Sequence, residues 1–178
     1  MNPEGWLEGI RRVESPNCDE RPAATEVSLL IVHSISLPPG EYGGDAIERF
    51  FTNRLDPQAH PYFQEIAGMR VSAHFLVRRD GELVQFVPVL KRAWHAGVSS
   101  WRGRSACNDF SVGVELEGSD DGAFDDAQYR SLEQLLRRLR QALPLRDIAA
   151  HSDVAPGRKT DPGAGFAWAR VLSDLGKT

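Results

Sequence analysis

The sequence predicts a mixed α/β fold, in which helices flank a central mixed β-sheet. Three segments support this prediction: a short apolar run with β-branched residues at 28–33, a strictly alternating run at 110–118, and an amphipathic stretch at 126–143. Strands interspersed with helices along one chain are typical of a sheet whose faces are covered by helices. A chain of 178 residues is long enough to bury a core. We therefore expect one domain over 1–178, with its core at about 25–170.

Two neighbouring β segments in the middle of the chain are predicted to form a hairpin. The stretch VSAHFLVRRDGELVQFVP (71–88) has two runs of β-type residues around Asp80-Gly81, a pair suited to the positive φ angles of a tight turn. In the alternating run FSVGVELEG, apolar residues alternate with small or polar ones, which include Glu115 and Glu117. The alternation predicts a half-buried strand with two carboxylates on its second face.

Helical periodicity marks three segments. DAIERFF (45–51) has apolar residues spaced for one face of a short helix, and AGFAWARVLSDLG (164–176) is a candidate for a closing helix. In DAQYRSLEQLLRRLRQAL the leucines form one stripe, and Asp125 with Gln128 gives a start like a capping box. The segment 37–70 begins with several prolines and glycines, so we expect a long surface excursion of a kind that is often functional.

Composition and charge argue against several classes of function. The formal net charge is −4, which argues against nucleic-acid binding and gives no attraction to an anionic membrane. Cys18 and Cys107 are too few for a disulfide framework. The first residues lack the apolar core of a secretory signal, and no run is long enough to span a membrane. We therefore expect a cytoplasmic location, and nothing in the sequence implies a protein partner.

Two of the five histidines directly follow short apolar runs, His33 after SLLIV and His151 after DIAA. The ends of strands that open into loops are where α/β folds place their sites. If the two strands are neighbours, both imidazoles meet, and the irregular Pro/Gly-rich segment HSDVAPGRKTDPG can bring Asp161 to them. Two imidazoles and one carboxylate are enough to bind a catalytic zinc ion and leave one position for water. The alternative is a polar loop with unrelated histidines.

A carboxylate on the polar face of the alternating strand can serve as the base in such a site. Glu115 would take a proton from water at the zinc ion. Glu117 lies on the same face, and periodicity does not choose between them; both are also compatible with an exposed edge strand. An ammonium group near zinc can stabilise an oxyanion, and Lys159 lies two residues before Asp161. The alternative for Lys159 is a solvated loop side chain.

Four stretches resemble the zinc-dependent N-acetylmuramoyl-L-alanine amidase family, which also contains phage T7 lysozyme-type amidases and peptidoglycan recognition proteins. They are HSISLPPGEYGG, RVSAHFLVRRDGELVQFVP, RAWHAGVSSWRGRSACNDFSVGVELEG and HSDVAPGRKTDPG, and the likeness runs from about Gly5 to Trp168. The resemblance implies a mixed sheet flanked by helices, and zinc ligands at the two histidines and the aspartate named above. It also implies Glu115, rather than Glu117, as the base, and Lys159 as a group that acts on the transition state.

The resemblance further implies a substrate and a reaction. The substrate would be a small muropeptide, with or without N-acetylglucosamine, and the reaction would hydrolyse the amide between 1,6-anhydro-N-acetylmuramic acid and L-alanine. This is a step of cell-wall recycling, which affects β-lactamase induction indirectly. Ser34 stands in HSISLPPG where the family has HNISLPPG, and Ser152 in HSDVAP where it has HCDIAP. Neither change removes a ligand, but Ser34 bears on a hydrogen bond to the substrate.

Aromatic and basic residues supply candidates for substrate contacts. Trp94, His95 and Trp101 lie in the loop before the Glu115 strand, and an indole face suits the apolar side of a sugar ring. Packing under the loop explains these residues equally well. The other candidate contacts, to a peptide carboxylate or a sugar, are Tyr62, Arg70, His74 and Arg104. His74 also suits a structural role beside the metal ligands.

Other classes of function compete with a cytoplasmic amidase. A metal-free peptidoglycan-binding module shares the fold, but such modules commonly lose a zinc ligand that this chain keeps. A zinc peptidase or deacetylase on an unrelated fold has only the ligand chemistry in its favour. A secreted amidase would need an export signal.

Overall fold

The computed structural model describes residues 1–172 and contains a six-stranded mixed sheet with helices on both faces. The strands are β1 Arg11–Arg12, β2 Cys18–Glu20, β3 Leu29–Ile35, β4 Phe75–Val77, β5 Leu83–Gln85, β6 Lys91–Ala93, β7 Ser100–Trp101, β8 Arg104–Ser105, β9 Ser111–Glu117 and β10 Asp147–Ala150. The helices are α1 Ala46–Phe51, α2 Pro61–Ile66, α3 Asp126–Ala142, α4 His151–Val154 and α5 Trp168–Leu172, with a 3-10 turn at Cys107–Phe110. The mixed α/β class predicted from the sequence is confirmed.

The order of strands in the main sheet is β1-β5-β4-β9-β3-β10. Strands β4 and β5 form the predicted antiparallel hairpin, and Gly81 in its turn has φ +89°. The other neighbouring pairs are parallel. Strands β2 and β6, and strands β7 and β8, form two separate ribbons. Parallel pairing makes β10, β3 and β9 end at the same edge of the sheet, which is where polar side chains collect.

Helix α3 covers one face of the sheet. Its stripe of buried leucines packs on the inward side chains of β3 and β9, which include Leu30, Val112 and Val114. Full burial of each such aliphatic side chain contributes about 1.5–3 kcal/mol relative to exposure. The predicted capping box is present, because the side chain of Gln128 accepts a hydrogen bond of 3.0 Å from the backbone N–H of Asp125. The predicted helix is confirmed to within one residue.

The opposite face carries two apolar clusters with a polar strip between them. One cluster brings α1 and α2 onto β4 and β5, so the 37–70 segment supplies core as well as surface; its members include Phe50, Phe51, Phe63, Ile66, Leu76 and Phe86. The other lies over β3 and β10 and includes Leu29, Ile31, Phe110 and Val154. The strip between the clusters is where His33 and Glu115 point, so the packing leaves room for a site on this face.

Strand β9 is buried along its whole length, so the prediction of a half-buried strand was wrong. All seven residues Ser111–Glu117 are buried, and the strand lies between β4 and β3 rather than at an edge. The apolar residues of β9 do lie on one face and the polar residues on the other, but other parts of the protein cover the polar face as well. Both glutamates of this strand are therefore inside the protein.

Several element boundaries differ from those predicted. Strand β3 continues two residues past His33, and the first four residues of HSDVAPGRKTDPG form α4 because the Asp153 carboxylate caps the backbone N–H of Ala150 at 2.9 Å. The core starts before residue 25, since Leu7 is buried in the main cluster. Helix α5 begins at Trp168, and residues 173–176 of the predicted closing helix lie outside the described residues. No helix within 1–172 has the length and apolar character needed to cross a membrane.

His74 joins two strands and a loop from within the core. Its side chain is fully buried, its Nδ1 accepts a hydrogen bond of 3.0 Å from the backbone N–H of Gly113, and its Nε2 donates to the carbonyl of Lys91 at 3.0 Å. Burial, together with the nearby cation of Arg21, lowers the pKa of His74 to about 3. The imidazole is thus neutral, and a proton added to Nδ1 would break the bond to Gly113.

This buried histidine predicts a loss of stability in acid. The unfolded chain takes up the proton near pH 6.5, whereas the folded chain does so near pH 3, so the stabilisation present above pH 6.5 is lost as the pH falls through that window. Each such group contributes a slope of up to about 1.4 kcal/mol per pH unit. We expect His74→Asn, which keeps an acceptor for Gly113, to be less stable at pH 7 but to show a shallower fall between pH 6.5 and 4. Urea unfolding at a series of pH values measures this, and equal slopes in variant and parent would contradict it.

Candidate metal centre and active site

The register of three parallel strands places the site residues side by side. In the pairing of β3 with β9, His33 lies opposite Glu115. In the pairing of β10 with β3, Ala150 lies opposite Val32, so His151, the next residue, reaches the level of His33. The two strands are neighbours, as the sequence argument required.

Asp161 completes the group from the loop after α4. The backbone N–H of Ser152 donates to the carbonyl of Asp161 at 3.0 Å, which folds the loop back onto the start of the helix. The side chain of Asp161 is 13% exposed, and its Oδ2 lies 3.0 Å from Nδ1 of His151 and 3.2 Å from Nδ1 of His33. The two Nδ1 atoms are themselves 2.9 Å apart. One atom from each of the three residues therefore points at a common centre.

These three distances are compatible with coordination of one divalent ion by the three atoms. Zinc bonds of about 2.0–2.1 Å in tetrahedral geometry place neighbouring ligand atoms about 3.3 Å apart, close to the observed edges of the triangle. The donor set of two imidazole nitrogens and one carboxylate oxygen is also a set that zinc prefers. The residues present therefore fit the metal that the sequence suggested.

The outer nitrogens of both histidines are held by neighbours. Nε2 of His151 lies 3.3 Å from the carbonyl of Ala96, which can only accept, so His151 carries its proton there and leaves Nδ1 bare. Nε2 of His33 lies 2.9 Å from Nδ1 of His95, and Nε2 of His95 lies 3.2 Å from the hydroxyl of Ser111. When Nε2 of His33 donates to Nδ1 of His95, and Nε2 of His95 donates to Ser111, Nδ1 of His33 also carries no proton. His95, a candidate substrate contact, is thus hydrogen-bonded to the imidazole of His33 in addition to lining the cavity.

Burial and the local charges favour the ligand forms that a metal needs. Burial lowers the pKa of His33 to about 4, so this imidazole is neutral near pH 7. Two neutral imidazoles and a carboxylate are the states that coordinate zinc.

Glu115 lies beside this group with an oxygen that has no partner. It is 9% exposed, its Oε1 is 3.9 Å from Nδ1 of His33, and its Oε2 is buried without a hydrogen bond within the described residues. Burial, followed by the negative charge of Asp161, raises the pKa of Glu115 well above its usual value. A buried carboxyl group without a partner costs about 1–3 kcal/mol, so its presence points to a ligand or to chemistry.

Glu117 is in a different situation, although it shares the polar face of β9. It is 2% exposed, and its carboxylate accepts hydrogen bonds from the backbone N–H of Gly43 at 2.6 Å and of Arg79 at 3.1 Å. These bonds fasten the loop before α1 and the hairpin turn to the end of β9. The hydrogen-bonding capacity of Glu117 is used structurally, which favours Glu115 as the reactive carboxylate.

The group lies at the base of a cavity of about 430 Å³. One side of this cavity is polar and includes Ser34, Ser119, Asp120 and Lys159. The other side is apolar and aromatic and is formed by Leu37, Phe50, Phe51, Tyr62, Ile66, Met69 and Trp94. Lys159 is exposed at the rim, and its positive charge acts on the Glu115 carboxyl group. The cavity therefore offers an open approach to the three converging ligand atoms.

Four residues considered in the sequence lie away from this cavity. His74 is in the core, and the exposed side chain of Arg70 turns back to the carbonyl of Met69. The guanidinium of Arg104 stacks 3.7 Å from the ring of Phe110. The indole of Trp101 donates to a carboxylate oxygen of Asp147 at 3.1 Å. Conversely, sequence reasoning missed Asp120, for which the only signal is an acidic residue just past the end of a strand.

Comparisons with known proteins identify relatives of this chain. The family model described as N-acetylmuramoyl-L-alanine amidase matches residues 23–164. The 1,6-anhydro-N-acetylmuramyl-L-alanine amidase AmpD of Escherichia coli (strain K12) is 58% identical over 169 residues, which cover 94% of this chain and 92% of that protein.

Solved structures agree as well. The crystal structure of a selenomethionine AmpD derivative matches with a TM-score of 0.94 at 55% identity, covering 97% of this chain and 98% of the other. The amidase AmiD from E. coli, in complex with anhydro-N-acetylmuramic acid-L-Ala-D-gamma-Glu-L-Lys, matches with a TM-score of 0.62 at 26% identity, covering 88% of this chain and 61% of the other. This chain therefore belongs to the N-acetylmuramoyl-L-alanine amidase family.

Proposed function

We propose that this amidase is a zinc enzyme that hydrolyses the amide between 1,6-anhydro-N-acetylmuramic acid and the L-alanine of a stem peptide. The observation that carries the proposal is the convergence of three ligand atoms, within 2.9–3.2 Å of one another, beside Glu115, whose buried Oε2 has no hydrogen-bond partner among residues 1–172. The substrate follows from the relatives, since AmpD of E. coli is named for this bond and AmiD was solved with an anhydro-muramyl peptide. A cytoplasmic location and a role in cell-wall recycling remain predictions from the sequence.

His33, His151 and Asp161 would hold the zinc ion. When bound, zinc acidifies a water molecule and polarises a carbonyl oxygen. His95 and the carbonyl of Ala96 would keep the two imidazoles in the tautomer and orientation that binding requires.

Glu115 acts as the proton carrier. It accepts the proton of the attacking water and later gives it to the nitrogen of alanine, because an amine cannot leave as an anion. The raised pKa of Glu115 suits a group that must take up and release a proton near neutral pH, and its free oxygen leaves it available for that exchange. Its place in the middle of a buried strand fixes its position relative to His33.

Lys159 stabilises the oxyanion that forms when the amide carbonyl is attacked. Its exposed position at the cavity rim leaves the ammonium group accessible to the carbonyl of an incoming substrate. Tyr62 and Trp94, on the aromatic wall, are the candidate contacts that the cavity supports for the sugar. Arg70 and Arg104 lie outside the cavity, so they could contact the substrate only if it extended beyond the cavity.

Replacement of the proposed proton carrier tests this assignment. We expect Glu115→Gln to keep its zinc content but to lose about 10²–10⁴-fold in kcat, because the amide cannot carry the proton. Glu117→Gln, on the same face of the strand, is the matched comparison: it should lower the unfolding temperature through the loss of backbone contacts while kcat stays within about threefold. Product mass spectrometry on an anhydro-muropeptide follows turnover, and unchanged kcat in zinc-loaded Glu115→Gln would remove Glu115 from the chemistry.

Removal of the loop ligand tests the metal site. We expect Asp161→Ala to weaken zinc binding by more than about 100-fold, since it removes one of three ligands and leaves two buried imidazoles. Zinc retained after dialysis against a chelator measures this directly. Asp121→Ala removes an exposed carboxylate nearby and should retain as much zinc as the parent. Equal retention by the Asp161 variant would deny this residue a ligand role.

A further inference from the structure

The segment 156–161, which supplies Lys159 and Asp161, is mostly exposed. A metal ligand on such a segment needs contacts that restrain its position. Residues 156–160 are all exposed, and the backbone N–H of Ser152 donates to the carbonyl of Asp161 at the end of the segment. The guanidinium of Arg158 donates to the carbonyls of Ala96 and Val98. Neither contact fixes the side of the segment that faces the polar wall of the cavity.

Asp120 makes the missing connection. It lies just beyond the end of β9, and its Oδ1 accepts a hydrogen bond of 2.7 Å from the hydroxyl of Ser34 in β3. Its Oδ2 accepts a hydrogen bond from the hydroxyl of Thr160, the residue between Lys159 and Asp161. A single carboxylate thus joins a central strand of the sheet to the segment that carries two proposed functional groups.

The backbones of the two loops are in direct contact beside this carboxylate. A Cβ atom on Gly163 would lie 2.0 Å from the carbonyl oxygen of Asp120, and one on Gly165 would lie 2.2 Å from the carbonyl oxygen of Gly122. No side chain fits at either position. The glycines allow the close approach, so Asp120 has a fixed backbone position from which to hold Thr160.

We propose that Asp120 is a positioning residue that sets the place of Asp161 and Lys159 through its hydrogen bond to Thr160. The inference rests on the proposed function of those two residues and adds a residue that touches neither the metal nor the reacting bond. It also gives a role to Ser34, the departure from the family's pattern next to His33. The Ser34 hydroxyl donates to Asp120 and anchors the connection to β3.

Four single variants separate this role from a general effect on the fold. Asp120→Ala removes both hydrogen bonds, and Thr160→Val removes only the hydroxyl at the loop without changing charge or shape. Asp120→Asn keeps two polar atoms, and because hydroxyl groups both donate and accept, it can still bond Ser34 and Thr160. Asp121→Ala is the control, since it removes the neighbouring exposed carboxylate, which bonds to neither hydroxyl.

Zinc affinity is the first measurement, made by competition with a chelator at a temperature where every variant is folded. We expect Asp120→Ala and Thr160→Val each to weaken binding about 10- to 100-fold, the usual effect of losing a group that orients a ligand. Asp120→Asn and Asp121→Ala should stay within about threefold of the parent. The double variant Asp120→Ala/Thr160→Val should bind zinc no more weakly than the weaker-binding of the two single variants, because both single variants remove the same hydrogen bond between Asp120 and Thr160. Unchanged affinity in the two single variants, or Asp120→Asn as weak as Asp120→Ala, would overturn the proposal.

Hydrogen exchange of the metal-free protein gives a measurement that does not depend on zinc. We expect backbone amides in residues 157–163 to exchange at least about fivefold faster in Asp120→Ala and Thr160→Val, with the rest of the sheet unchanged. Unchanged exchange in this segment, or faster exchange throughout the molecule, would refute a local positioning role. If the parent binds no zinc but the segment responds, the proposed function fails while the positioning contact stands.

Discussion

The parallel pairing of β9, β3 and β10 is the constraint on which the rest of the site depends. It sets His33 opposite Glu115 and brings His151, the residue that follows β10, alongside them, so two of the proposed ligands and the proposed proton carrier lie next to one another. Side chains in a strand alternate between faces, and a slip of one residue would turn His33 or Glu115 toward helix α3. The apolar packing of Leu30, Val32 and Val114 on the other face opposes such a slip, so the core that stabilises the sheet also fixes the geometry of the site.

That geometry has an electrostatic consequence for the metal-free protein. Two bare imidazole nitrogens and a carboxylate oxygen face one another within about 3 Å. Glu115 is buried beside them, and one of its oxygens has no partner in the part of the chain that the structure describes. Each of these groups would be better solvated in the unfolded chain. A divalent cation at the common centre would satisfy the three ligands and favour the ionised form of Glu115. In the proposed enzyme, zinc binding therefore adds to the stability of the fold.

Local patterns in the sequence were sufficient for the elements but not for their neighbours. The hairpin around Gly81 and helix α3 with its capping box follow from turn residues and periodicity, which act over a few positions. The strand order depends on packing between distant segments, which the sequence does not show. The proximity of His33 and His151 could therefore be predicted only on the assumption that their strands are neighbours. The burial of β9 was predicted wrongly. The polar residues of its second face are compatible with contact with solvent, but the sequence does not show that other parts of the protein cover this face. The difference between Glu115 and Glu117 lies in backbone partners from other loops, which no periodicity reports.

The division of the site between strands and a loop reflects two conflicting demands. A metal ligand and a proton carrier gain from burial, which fixes them and shifts the pKa of Glu115 upward. A lysine that must stay charged until substrate arrives cannot be buried, because desolvation would favour its neutral form. Lys159 therefore lies on an exposed segment, and Asp161 shares that segment two residues away. Exposure normally brings mobility, which a ligand cannot tolerate. A carboxylate that bonds Thr160 from outside the segment resolves the conflict, since it restrains the backbone between the two groups and leaves Lys159 exposed.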